Sequence, residues 1–68
     1  MKYNPDVQKE VHKLLMIGRQ NGDQKLSNMT DEEIRQASIE IAEIETFNRL
    51  HRMNKTQQYM YLADIAYE

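Results

Sequence analysis

The chain lacks cysteine and tryptophan, and it has one proline and two glycines among its 68 residues. The absence of cysteine excludes disulfide bonds and removes the commonest ligands of structural zinc. Two glycines are too few for the glycine-rich loops that cradle phosphate groups. We therefore expect no cofactor. Because a chain this short buries only about 60% of its unfolded surface, oligomerisation is the remaining way to stabilise it.

Long apolar runs are also absent. The longest, Leu14 to Ile17, is far shorter than the roughly 20 residues that a membrane-spanning helix needs. The first eight residues, MKYNPDVQ, contain no apolar run that resembles a signal sequence. A net charge of −2 provides neither the basic excess typical of nucleic-acid binding nor a strongly acidic surface. We expect a soluble, cytoplasmic protein that does not contact membranes.

Catalytic and metal-binding patterns are missing as well. A nucleophile needs a base beside it, and the chain has no cysteine and no G-x-S-x-G segment. The two histidines, His12 and His51, lie in neither an H-x-x-x-H nor an E-x-x-H pattern that places two ligands on one helical face. The sequence therefore predicts neither an enzyme nor a metal site.

Capping residues and apolar spacing predict a first helix over about 5–20. Asn4 can cap it, and Pro5 suits the first helical position, where its missing N–H is not needed. Gly18 lies on the predicted buried stripe, where it either permits close approach of a neighbour or merely weakens the helix end. A polar loop follows over about 21–29, with Leu26 as its apolar anchor. The stripe consists of Val7, Val11, Leu14 and Leu15.

A second helix is predicted over about 31–53 and a third over about 56–67. Thr30 and Glu33 have the spacing of a capping box, which fixes the start of the second helix. Its end is less distinct, and either Asn54 or Thr56 can cap the third helix. The sequence thus predicts one all-α domain spanning 1–68, with three helices, of which the central one is long.

The apolar residues of the predicted second helix wind around it. One arc, which contains Ile34, Ala37, Ile41 and Ile44, fits inside a monomer. Later apolar residues follow at steps of three, each about 60° short of a full turn. Apolar residues left without cover commonly form interfaces. We therefore expect a dimer or partner interface at Ile39, Phe47, Leu50 and Met53.

Charge is sorted along the same segment. Six acids and one base lie between residues 29 and 45, whereas three bases and no acid lie between 46 and 55. The helix dipole explains part of this order. Antiparallel pairing of two copies would also explain it, since each acidic half would face the other copy's basic half. We expect a two-fold homodimer with this helix at its centre.

The function that these features favour is non-catalytic binding of another protein. A regulator, inhibitor or assembly adaptor would act by occupying the surface of its partner, and proteins of this size are often encoded by phages or mobile elements. The alternative is a small nucleic-acid-binding regulator, because arginine and asparagine can read base edges. The residues expected to contact either partner are Arg49, Arg52, Lys55 and Tyr61.

Overall fold

The computed structural model describes residues 3–67, which form five α-helices. They are α1 (Pro5–Gln20), α2 (Gln24–Ser27), α3 (Asp31–Glu40), α4 (Ile44–Leu50) and α5 (Lys55–Ala66). The all-α prediction is confirmed. The predicted number of helices is wrong, because α2 lies in the expected loop and the expected long helix is divided in two.

Helix α1 is the central element of the fold. Every other helix packs against it, most extensively α5 and then α3. Its start follows the sequence prediction, since the Asn4 side chain accepts hydrogen bonds from the backbone N–H groups of Asp6 and Val7 at 3.0 and 3.3 Å. Five of its residues are buried, which are the predicted four and Gly18. The long second helix, which the sequence analysis placed at the centre, does not hold that position.

The short helix α2 closes the turn after α1. Gly22 has φ +86°, a backbone conformation that other residues seldom adopt. Asp23 then caps α2 by accepting from the N–H groups of Lys25 and Leu26. Leu26 is fully buried, as predicted for the anchor of this segment. The segment is also attached to α1 by Arg19, which donates to the carbonyl of Met29 at 3.2 Å.

The capping box of α3 is present as predicted. The Thr30 hydroxyl accepts from the Glu33 N–H at 3.1 Å, and the Glu33 carboxylate accepts from the Thr30 N–H at 2.8 Å. A second capping box starts α5, where Asn54 and Gln57 exchange the equivalent bonds at 2.9 and 3.1 Å. Asn54, and not Thr56, is therefore the cap of the last helix.

The predicted helix over 31–53 is interrupted between Glu40 and Ile44. Glu43 has extended backbone angles, and Tyr3 forms an isolated antiparallel bridge with it. The Asn4 N–H donates to the carbonyl of Ala42 at 2.9 Å, so a backbone group released from the helix is paired with the N-terminal segment. Ala42 itself is buried.

This break gives α4 a direction of its own, so Leu50 lies in the core and not on an uncovered face of a long helix. Thr46 and Leu50, one turn apart on α4, are buried, and Phe47 packs against the core. Because the chain turns, the apolar face does not need to wind around a continuous helix to reach α1. The accessible surface is 4662 Å², close to the value of about 4,500 Å² typical of a folded monomer of this size. The buried apolar residues form one cluster within the single chain.

Candidate protein-binding surface

The residues predicted for a dimer interface occupy three different environments. Leu50 is only 2% exposed and belongs to the core of its own chain, so it cannot contribute to an interface between folded monomers. Phe47 and Met53 are half-buried and pack against that core. Ile39 is half-buried. The four do not form one apolar patch, because the break at Ala42 separates the directions of α3 and α4.

Ile44 is exposed instead of buried. The spacing of apolar residues predicts a place inside the monomer for it, but the residue is 52% exposed at the start of α4. It lies beside Phe47 at a crevice of about 460 Å³ between α4 and the beginning of α1. Ile44 precedes the buried Thr46 by only two positions, so the two side chains lie on different sides of α4. That prediction is wrong because it assumed one continuous helix.

Two residues predicted to contact a partner are in contact with each other. An Nη1–H of Arg49 on α4 donates to the hydroxyl of Tyr61 on α5 at 3.1 Å. This hydrogen bond is the main reason why the pKa of Arg49 is raised further above its usual value. The ring of Tyr61 packs against the core, while Arg49 is exposed. Sequence reasoning named both residues without indicating that they meet.

A shallow crevice of about 490 Å³ adjoins this pair. Arg52 forms one side of it, and Met53 and Met60 supply apolar surface. Met60 is 52% exposed, although it is a large apolar side chain. We call this surface, formed by α4, α5 and the connection between them, the α4–α5 surface. It consists of Arg49, Arg52, Met53, Met60 and Tyr61.

Carboxylates interrupt the positive charge around this surface. Glu45 lines a crevice of about 270 Å³ together with Arg49 and Arg52. Asp64 lines the larger crevice together with Arg52 and also forms an ion pair with Lys25 of α2. Lys55, the fourth predicted contact residue, is exposed at the first position of α5 and lines neither crevice. The surface is therefore apolar with two arginines, and not a continuous cationic field.

A larger groove, of about 550 Å³, lies between α3 and α5. Its apolar residues include Ala37, Ile41 and Ile65, and three glutamates line it as well: Glu32, Glu33 and Glu40. We call it the acidic groove. Sequence reasoning missed it, because the acids were assigned to the helix dipole. The spacing of Gln36 and Glu40 could have indicated the groove, because residues four positions apart lie on one face of a helix, here beside the buried stripe of α3.

No three histidine, aspartate or glutamate side chains within residues 3–67 are arranged to hold a metal ion. His12 is half-buried on α1, and the ring of His51 lies edge-on to Phe47 with centroids 4.5 Å apart. Among the helices of residues 3–67, none has the length and apolar character needed to span a membrane.

The chain matches no protein-family model, and neither the curated proteins nor the solved structures include a significant match to it.

Proposed function

We propose that this protein is a non-catalytic interaction module that binds another protein through the α4–α5 surface. It would act as a regulator, an inhibitor or an assembly adaptor by covering part of its partner. The observation that carries the proposal is the contact between Arg49 and Tyr61, which lies beside the exposed side chain of Met60.

The residue types of this surface support the proposal. Tyrosine, methionine and arginine are enriched at protein interfaces, whereas lysine and glutamate are depleted. Methionine adapts its shape to the contact, and an arginine already hydrogen-bonded loses less freedom on binding. Tyr61 supplies that bond from a ring that the core holds in place. The surface therefore combines a rigid aromatic anchor with an adaptable apolar side chain.

The same residues indicate the chemistry of the partner. Arg49 and Arg52 favour carboxylates, which they can bind through two parallel hydrogen bonds. Met53 and Met60 favour an apolar side chain between those carboxylates. We expect the partner to present an acidic segment with at least one large apolar residue, for example one face of an amphipathic helix.

A homodimer remains part of the proposal, although its contact differs from the one expected on the long helix. Leu50 no longer belongs to it, because that side chain is buried in the core of its own chain. Phe47, Met53 and Ile39 keep partial exposure and can add to a contact centred elsewhere. The cytoplasmic location likewise stays a prediction.

Affinity capture with a charge-reversed pair of proteins tests the proposed function. The tagged wild type is compared with Arg49→Glu/Arg52→Glu in lysate of the source cells. A matched control, Lys9→Glu/Lys13→Glu, makes the same change in net charge on exposed residues of α1. We expect a protein that the wild type and the control retain and that the Arg49→Glu/Arg52→Glu variant loses. Equal retention of every protein by all three would contradict the proposal.

Nucleic-acid binding is the second candidate, because Arg49, Arg52 and Lys55 are all exposed around the connection from α4 to α5. The neighbouring carboxylates of Glu45 and Asp64 weaken this candidate. Fluorescence anisotropy with labelled duplex DNA and single-stranded RNA distinguishes the two functions. Nucleic-acid binding predicts that the logarithm of the binding constant falls steeply and linearly with the logarithm of the salt concentration. It also predicts that Lys55→Ala weakens binding.

A further inference from the structure

We propose that a second copy of this chain binds across α5, so that the α4–α5 surface of each copy lies in the acidic groove of the other. The inference rests on the proposed function, because it assigns a partner to the same surface. It replaces the predicted dimer along the long helix with one centred on Tyr61 and Ile65 of α5.

The two surfaces are continuous along α5. Tyr61 lines the crevice beside the arginines, and Ile65 lines the acidic groove. These residues are four positions apart, which makes them neighbours on one face of a helix. Both are half-buried and pack against the core. A partner that covers this face of α5 therefore touches both surfaces at once.

The charges at the two ends of this face are opposite. Glu40 lies in the acidic groove at the end of α3 and forms no ion pair with any residue in the range 3–67. Arg52 lies in the crevice at the other end. In a two-fold arrangement one patch meets its own copy, so each contact occurs twice. Two such faces are complementary when the copies pack in opposite directions, because the basic end of each copy then meets the acidic end of the other.

Apolar groups lie between the charged ends. Met60 is the large exposed apolar side chain of the α4–α5 surface. The acidic groove offers apolar contact at Ala37, Ile41 and Ile65. Burying these groups supplies affinity, while the charges set the orientation and the rate of encounter. The association joins two monomers that are already folded, so it should be reversible and weakened by salt.

A consequence is that self-association and binding of another protein exclude one another. Arg49, Arg52 and Met60 are covered in both complexes. An acidic partner would therefore have to displace the second copy, and the monomer would be the form that binds it.

Sedimentation velocity across a wide concentration range tests the inference. It compares two variants that should each self-associate weakly but should associate with one another when mixed. Arg49→Glu/Arg52→Glu makes the basic end acidic, and Gln36→Lys/Glu40→Lys makes the acidic groove basic. Neither substitution touches the capping box of α3 or its Glu32–Arg35 ion pair. We expect each variant alone to associate about tenfold or more weakly than the wild type. Their mixture should regain association, because both contacts are then complementary again.

The Lys9→Glu/Lys13→Glu control should associate like the wild type and should not pair preferentially with Gln36→Lys/Glu40→Lys. Circular dichroism confirms that each variant is helical, and Arg52→Glu alone replaces the double variant if that one is unfolded. A wild type that stays monomeric at millimolar concentration would overturn the inference, as would a mixture that does not associate. Either result would leave the proposed function intact, since affinity capture tests that separately.

Discussion

Gly18 of α1 lies against the ring of Tyr59 of α5 so closely that a Cβ atom on Gly18 would be 2.9 Å from Cδ1 of that ring. The same Cβ would be 2.5 Å from Cδ1 of Leu26, which is fully buried. Real Cβ atoms almost never approach other atoms this closely. Of the two interpretations that the sequence allowed, close approach of a neighbour is therefore the correct one.

We predict that Gly18→Ala destabilises the protein although alanine is the better helix former. The gain in helix propensity is about 1 kcal/mol, whereas overpacking costs about 1–3 kcal/mol. Urea denaturation should show a net loss of about 1 kcal/mol in the free energy of unfolding.

Gly22→Ala is a useful comparison, because nothing lies within 4 Å of its Cβ and only the φ of +86° opposes it. Asparagine should be tolerated better than alanine at Gly22 but not at Gly18. A Gly18→Ala variant more stable than the wild type would contradict this prediction.

Substitution by alanine should destabilise the protein strongly at Leu50 and hardly at all at Ile44. Leu50→Ala removes a core side chain and should cost about 2–5 kcal/mol, enough to unfold much of a small domain. Ile44→Ala should change the free energy of unfolding by about 0.5 kcal/mol or less, because its side chain is half exposed. Thermal denaturation followed by circular dichroism measures both. Equal losses for the two variants would mean that α4 does not turn as described.

The cap of α5 provides a third prediction. Asn54→Ala removes the acceptor for the Gln57 N–H and should lower the free energy of unfolding by about 1 kcal/mol. Thr56→Ala, two positions later, changes an exposed residue inside the helix and should be neutral or slightly stabilising. The two variants are compared by urea denaturation. A larger loss for Thr56→Ala than for Asn54→Ala would place the start of the helix elsewhere.

Lys25 and Asp64 link α2 to α5 in a way that depends on pH. The hydrogen bond to Asp64 raises the pKa of the Lys25 ammonium above its ordinary 10.5; desolvation opposes this shift, and the charge of Asp64 adds to it. Because the pKa of Lys25 is higher in the folded than in the unfolded state, its ion pair with Asp64 stabilises the folded state fully at pH values below the unfolded pKa. This stabilisation is lost as the pH rises through the folded pKa.

NMR titration of the Lys25 side chain should therefore show its pKa fall towards 10.5 in Asp64→Asn. The difference in melting temperature between that variant and the wild type should shrink as the pH rises through the folded pKa of Lys25, which lies above 10.5. An unchanged pKa in Asp64→Asn would show that the ion pair is not formed in solution.

Much of the fold follows from signals that lie close together in the sequence. The start of α1 at Asn4 and Pro5 depends on residues within one turn, and so does the capping box of Thr30 and Glu33. The buried stripe of α1 could be predicted because its spacing is regular over the whole helix.

The break between α3 and α4 could not be predicted in the same way. It contains neither glycine nor proline, and the backbone at Ala42 and Glu43 is paired with Asn4 and Tyr3, about forty positions earlier in the chain. A continuous helix predicts an exposed Leu50 and a buried Ile44, and the break reverses the burial of both residues. The partner residues Arg49 and Tyr61 were recognisable by type, but their contact depends on how α4 packs beside α5.

Amide chemical shifts, recorded residue by residue while the wild-type protein is concentrated from micromolar to millimolar, locate the contact between two copies. We expect concentration-dependent shifts at Gln36, Glu40, Arg52, Tyr61 and Ile65, with little change at Lys9 and Lys13 of α1. These shifts should diminish as salt is added. Spectra that stay the same over the whole range, or shifts confined to α1, would contradict self-association through the α4–α5 surface and the acidic groove.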